Sequence, residues 1–406
     1  MKQTGRVLLW LMLATPVFVS AQIDPIKRDL FQLGYNQPVE GHAPFAGYAF
    51  FYHNQPDFLR TNTTLRLALA PVYLDSELGF VHGLGPNTDF GLGVAGGGFA
   101  DSYYDIHGGK YYPTNSFDGH GAEVSGSIYH LFNPGDLVPL NLVVRGVVHY
   151  STYARNDETD PGLLLPKARE EFNVRTGLRW GGIEPTLFPA LAMELSVWYE
   201  GQFRNGSGPY GKFIGTGYDS SVEPQSHLFW AEAALSYTLP KSQQNFYVRL
   251  LGGTSVDADR FSAYRLGGYL PLVSEFPLSL PGYYFQEISA RQFVLFNANY
   301  LLPLDRSQRW NLSVNAATAV VDYLPGENQP GNSLTGVGGG IFYRAPSDRL
   351  KIVLDYAYGV DARRSHGRGA NCVGILLQWD FQKTHGEGFN PAHPNRWRGW
   401  QWLIPD

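Results

Sequence analysis

Residues 349–360 read RLKIVLDYAYGV. Leu350, Ile352, Leu354, Tyr356, Tyr358 and Val360 share one parity. Arg349, Lys351, Val353, Asp355, Ala357 and Gly359 share the other. Successive side chains of a β-strand point to opposite faces, so this segment has one apolar, aromatic face and one that carries charge. In a water-soluble sheet the apolar face must meet a second apolar layer. If the strand belongs to a membrane barrel, lipid supplies that layer.

The same period recurs along the chain. At 171–180, Phe172, Val174, Thr176, Leu178 and Trp180 oppose Glu171, Asn173, Arg175 and Arg179. At 190–200, Leu191, Met193, Leu195, Val197 and Tyr199 oppose Glu194, Ser196, Trp198 and Glu200. At 229–239, Phe229, Ala231, Ala233, Leu235, Tyr237 and Leu239 oppose Trp230, Glu232, Ser236 and Thr238. At 309–320, Trp310, Leu312, Val314, Ala316 and Val320 oppose Asn311, Ser313, Asn315 and Ala317. Each run holds for about ten residues, the length of a tilted strand crossing a bilayer and longer than the usual strand of about five or six.

The connections alternate in length. Asn133–Pro139, Gly182–Pro189, Pro240–Gln244, Pro303–Gln308 and Ala345–Asp348 are short; 105–119, 155–168, 205–226, 258–287 and 324–331 are long. Short turns at one end and long loops at the other mark an outer-membrane barrel, and the parity gives about 14 strands. If 62–82 folds back at Pro71, a further strand at 28–36 makes about 16, again an even count. The expected fold is all-β, a closed antiparallel transmembrane barrel of 14–16 strands, because closure leaves no strand edge for lipid to satisfy. A soluble sandwich or propeller would also alternate, but with shorter strands and its apolar face turned inward.

Composition agrees. Charged residues are only 17%, aromatics 15%, and glycine numbers 47. The formal net charge of −5 argues against nucleic acid as a partner. A single cysteine, Cys372, excludes an intrachain disulfide. MKQTGRVLLWLMLATPVFVSAQ opens with Lys2 and Arg6 before an apolar stretch. Val19 and Ala21 are placed for a cut before Gln22, so residues 1–21 read as a secretory signal peptide. No cysteine follows the cut, which argues against a lipoprotein, and no later apolar run is long enough for a membrane helix. The expected organisation is a signal peptide at 1–21, a short periplasmic segment at 22–45, the barrel at 46–381, and a tail at 382–406. The tail carries Trp397, Trp400 and Trp402. It either rests at the membrane interface or serves as a plug or partner-binding segment. The expected location is the outer membrane of a Gram-negative cell.

The last strand reads GILLQWDF at 374–381. Val373, Ile375, Leu377, Trp379 and Phe381 share a face, and with Gly374 they resemble the terminal signal read by barrel-assembly machinery. YRLGG at 264–268 and LPGY at 280–283 lie within one long loop, followed by RQFVLFNANYLLPL at 291–304 and four more strands. Order and count over roughly 245–381 resemble the barrel domain of the bacterial surface antigen superfamily, the BamA- and TamA-like barrels and two-partner secretion translocators. The resemblance implies that Arg265, Gly267, Gly268, Pro281, Gly282 and Tyr283 lie on a loop folded into the lumen. It also implies a transport, assembly or secretion role, with outer-membrane lipids, assembly machinery and a separate periplasmic partner. Two positions depart from the pattern: Pro281 replaces the family's loop arginine, and Asn315 stands where its partner aspartate is expected. The resemblance is expected to cover the barrel domain alone, without the family's periplasmic domains.

Two sets of residues invite a chemical reading. His149 and Ser151 resemble the His-x-Ser pair of outer-membrane acyl hydrolases of the phospholipase A and lipid A deacylase types, with Asn156 or Glu158 to orient the imidazole. Two residues apart on a strand, they share a face. That face also holds Asn141 and Arg145, so it is the lumen face, and a lipid hydrolase needs the pair toward lipid. Arg145, Arg175, Arg179, Glu194, Glu232, Arg249, Lys351 and Asp355 are expected to line the lumen, either paired across strands or as a selectivity lining. His107 and His120, with Asp105, Asp118 and Glu123, match no metal-binding spacing. No cofactor is expected. The leading function is a non-enzymatic structural or transport barrel.

Overall fold

The computed structural model describes residues 23–382, apart from 25, 184, 185, 328 and 366. The chain forms sixteen wall strands. The first eight are β1 (Arg28–Pro38), β2 (Gly47–Pro56), β3 (Thr63–Ala70), β4 (Tyr73–Gly85), β5 (Thr88–Gly97), β6 (Asp118–Leu131), β7 (Leu140–Ala154) and β8 (Arg169–Gly182). The rest are β9 (Leu191–Arg204), β10 (Gln225–Thr238), β11 (Asn245–Val256), β12 (Ile288–Pro303), β13 (Trp310–Tyr323), β14 (Ser333–Arg344), β15 (Leu350–Arg364) and β16 (Gly367–Asp380). The hydrogen-bonded sheet has 17 members, one of which is the three-residue loop segment Tyr264–Leu266 riding on β12.

Each wall strand pairs antiparallel with the next, and β1 closes on β16 from Leu30↔Asp380 to Pro38↔Cys372. Of the two counts, sixteen is therefore the one formed. The chain does fold back at Pro71, with Ala70 paired to Tyr73. The barrel begins at Arg28 and not at 46. Residues 28–38, set apart as part of a periplasmic segment, are wall: Gln32 and Asn36 turn inward, while Phe31, Leu33 and Tyr35 take the other face. The stretch was easy to discount because it is isolated by the irregular, proline-containing loop 39–46. The signal peptide read over 1–21, and the tail from 383 onward, lie outside the described residues. Among the described residues no helix is long and apolar enough to cross a membrane.

The parity of the opening segment holds. Leu354 and Tyr356 are 56% and 51% exposed, whereas Lys351 and Asp355 are each 7% exposed. Val124, Val148, Phe172, Val197, Phe229, Val294 and Val320 are likewise exposed, so an apolar belt runs around the outside. A soluble sandwich would bury these residues. A 14-residue strand such as β13 is about 46 Å long; tilted by about 40°, it reaches about 35 Å, enough for the hydrocarbon layer. At the end where β1 begins and β16 stops, here the terminal end, aromatic pairs ring the rim: Phe246–Tyr300 and Trp310–Tyr343, each at 4.8 Å. Such a girdle suits the interface of a bilayer.

Terminal-end connections are all short. Distal connections are mostly long, and loop 98–117, the hairpin Gly208–Ile214/Gly217–Val222 and residues 155–168 pack over the distal mouth. Tyr103, Phe117, Leu163, Tyr210 and Val222 form a small core there, with Phe261 against it.

Candidate functional site

The lumen is the candidate site, and its wall is built of crossed charge pairs. Inward positions on neighbouring strands fall opposite or diagonal to one another. Arg249 Nε and Nη2 each donate to Glu232 at 2.8 Å, a buried bidentate pair between β11 and β10. Arg175 Nε donates to Glu200 at 2.6 Å, and Arg179 Nε to Glu194 at 3.1 Å. Arg145 Nη2 donates to Ser125 Oγ at 3.0 Å and lies 3.7 Å from Glu123. Lys351 reaches across to Thr186 Oγ1 at 3.1 Å and the Leu187 carbonyl at 3.4 Å. Asp355 differs from these: neither carboxylate oxygen has a hydrogen-bond partner among the described residues. It lies over Gly374, where a Cβ would stand 2.5 Å from Oδ1. Thus all eight residues read as lumen lining turn inward; seven have partners.

Loop 257–287 fills the centre. Its base is a narrow hairpin: Gly267 N–H donates to the Leu278 carbonyl and Leu280 N–H to the Gly268 carbonyl. Gly267, at φ +142, passes so close to the returning strand that a Cβ would stand 2.1 Å from the Tyr284 carbonyl oxygen. Arg265 donates to the carbonyls of Tyr104 and Gln286. At the inner tip, Glu275 bonds Arg179 and lies 3.9 Å from Arg175 Nη1. Phe276 sits edge-on to Trp198 and Trp230, at 5.2 and 5.6 Å. The loop then returns along the wall. Gly282, at φ +82, lies against Gly359, and the Pro281 carbonyl oxygen fills the space where Gly336 lacks a side chain. Tyr283 is fully buried, and the Cys372 thiol lies 3.8 Å from its carbonyl.

The absent arginine–aspartate bond has a counterpart with the charges reversed. Glu287 on the loop side meets Arg364 of β15 in a bidentate pair, both distances 3.0 Å, with the side chains 0% and 1% exposed. Arg364 also stacks on Tyr284 at 3.6 Å. Pro281 and Asn315 are not joined: Pro281 lies at Gly336, and Asn315 Oδ1 is buried beside Gly338 without a partner. The loop is anchored instead by Glu287 and Arg364.

Residues 186–188 of the terminal-end connection between β8 and β9 also enter the lumen. Leu187 N–H donates to Gln378 at 3.1 Å, and Leu187 packs with Leu270, Leu301, Phe342, Val353 and Leu376. Phe188 lies 4.9 Å from Phe342. By length alone Gly182–Pro189 reads as an ordinary short turn. Its apolar Leu187–Phe188 core, bounded by Pro185 and Pro189, was the available signal. Beside the two inserted segments remains a cavity of about 730 Å³. Ile23, Asp24, Pro139 and Gly182 line its terminal side; none of the distal loops that cap the mouth touches it.

His149 faces the lumen but is not a free base. Its Nε2 lies 2.9 Å from Asp101 and its Nδ1 3.2 Å from Glu123. Burial opposes ionisation of Asp101, yet hydrogen bonds from His149 and Ser151 hold its carboxyl below the usual range. Gly121 leaves the room this requires. Asn156 and Glu158 do not orient the imidazole: the Asn156 side chain accepts from the backbone N–H groups of Glu158 and Thr159, closing its own turn. Val148 and Tyr150, not His149 and Ser151, face outward.

No family model matches the chain, and no curated protein matches it. Solved structures do share its fold. CdiB from Acinetobacter baumannii aligns at TM-score 0.57 and 11% identity over 88% of this chain and 60% of its own. CdiB from Escherichia coli aligns at TM-score 0.55 and 11% identity, over 88% and 63%. BamA from Haemophilus ducreyi lacking POTRA domains 1–3 aligns at TM-score 0.54 and 10% identity, over 88% and 71%. The chain spans about three-fifths of the CdiB chains, and its barrel shares the fold of the BamA and CdiB barrels.

Proposed function

We propose that the protein is an exported outer-membrane barrel that transports small polar solutes and is closed at rest by loop 257–287 and residues 186–188. The observation that carries this reading is the charge-paired cavity, lined at the terminal end by Ile23, Asp24, Pro139 and Gly182 and separate from the loops that cover the distal mouth. On this reading the terminal end faces the periplasm and the distal loops face the cell exterior. Pairing of Arg175, Arg179, Arg249, Glu194, Glu232 and Glu275 leaves the lining polar with little net charge, which suits passage of polar solutes of either sign. The BamA- and CdiB-type fold supports a second reading, a secretion or assembly barrel that works with a separate periplasmic partner. The mature protein is expected in the outer-membrane fraction, resistant to alkaline extraction and heat-modifiable on gels. Recovery as a soluble periplasmic protein would refute the location.

The role is non-enzymatic on this reading. His149 is held between two carboxylates, so it is not placed to deprotonate Ser151 for attack on an ester. The purified barrel is expected to release no fatty acid from phospholipid or lipid A, and Ser151→Ala to change nothing. Acyl release that disappears in Ser151→Ala would make the barrel a hydrolase.

A further inference from the structure

We propose that Asp105, His107 and Glu327 form a binding site for one divalent first-row transition-metal ion, which fastens two distal loops together. Asp105 and His107 come from loop 98–117, beside the small hairpin Ile106–His107/Lys110–Tyr111. Glu327 comes from the loop between β13 and β14. One donor atom from each lies within 4.8 Å of the other two. No spacing rule could show this, because the third donor is brought in by barrel closure. His107 and its acidic neighbours in sequence match no metal motif, and Glu327 lies 220 positions further along the chain.

Two of the donors are already oriented. Asp105 Oδ2 accepts from Asn115 at 2.7 Å, its backbone N–H donates to Ser116 Oγ, and Oδ1 faces His107 Nδ1 at 3.0 Å. The His107 ring lies flat on Tyr112 at 4.2 Å. Such supporting contacts fix ligands in metal sites. Glu327 supplies the independent observation. It is 2% exposed, and although Oε1 lies 2.8 Å from Arg260 Nε, neither of its oxygens accepts a hydrogen bond from any described group. Glu327 is therefore ion-paired through Oε1 alone, and its buried Oε2 has no hydrogen-bond partner among the described residues, a lone pair that a cation between it and Asp105 would satisfy.

The donor set decides the class of ion. Two carboxylates and an imidazole suit zinc and its neighbours, whereas calcium takes about six to eight oxygens. Donors about 2.1 Å from a tetrahedral ion stand about 3.4 Å apart. Asp105 Oδ1 and His107 Nδ1, hydrogen-bonded at 3.0 Å, would part by about 0.4 Å as the ion replaces the proton between them, and Glu327 would bring Oε2 to the ion, with water as the fourth ligand. Arg260 keeps Glu327 Oε1 at 2.8 Å and its place over the Tyr103 ring, 5.9 Å away.

The test uses the untagged mature barrel in detergent, stripped with chelator and titrated with Zn2+ alone by calorimetry. Heat-modifiable mobility confirms that each variant is folded. One ion per chain is expected, with affinity lowered more than about tenfold in His107→Ala and in Glu327→Gln but unchanged in His120→Ala. His107 is partly exposed, so its variant keeps the test valid if Glu327→Gln fails to fold. Zn2+ should also raise the unfolding midpoint of the wild type and not that of His107→Ala. No binding by the folded wild type, binding unaffected by His107→Ala, or equal loss in His120→Ala would each overturn the proposal.

Discussion

Glu287→Ala is expected to destabilise the folded barrel by about 3–5 kcal/mol, the cost of leaving one member of a buried ion pair alone. Arg364 would keep its charge at 1% exposure with no carboxylate, and Tyr284 N–H would lose its acceptor, Glu287 Oε2. The double variant Glu287→Leu/Arg364→Met should lose much less, since removing both charges removes the stranded one as well. Denaturant midpoints of the refolded barrel, read by the heat-modifiable shift, measure both. A loss below about 1 kcal/mol for Glu287→Ala would mean that the loop is not anchored by this pair.

Leu354→Arg is expected to cost about 2–4 kcal/mol, because it puts a charge into the hydrocarbon near mid-height of β15. Asp355→Asn, the next residue, is expected to stay within about 1 kcal/mol of wild type or to stabilise. Its carboxylate is buried without a hydrogen bond, so neutralising it removes a burden. Equal losses at 354 and 355 would show that the two faces have been assigned the wrong way round.

The wall was legible because lipid and lumen impose opposite demands on alternate residues. That is why RLKIVLDYAYGV could be read alone, and why the inward set from Arg145 to Asp355 followed from parity. The interior was only partly legible. The 258–287 loop was expected inside through resemblance and its glycines, and Gly267 and Gly282 do sit where backbone approaches backbone. The resemblance implies that the family's arginine–aspartate bond is lost at Pro281 and Asn315; the pair that anchors the loop, Glu287 and Arg364, lies 77 positions apart and has no local signal. The inserted turn places the apolar pair Leu187 and Phe188 between Pro185 and Pro189, a signal that length alone does not distinguish from an ordinary short turn. Asp101, on a loop, finds His149 for the same reason that Glu327 finds Asp105: register across strands, not proximity in the chain, sets these contacts.

The most direct test of the closed lumen is single-channel conductance in a planar bilayer, comparing the wild type with a barrel in which residues 269–279 are replaced by a two-residue glycine linker. Gly268 and Leu280 are bridged to each other, so the linker closes a hairpin already formed. The exchange leaves the wall contacts of Gly282, Tyr283 and Glu287 in place while removing Leu270, Leu272, Glu275 and Phe276 from the lumen. The wild type should conduct little, and the exchanged barrel should conduct several times more. Equal conductance from two correctly folded barrels would contradict a lumen closed by this loop.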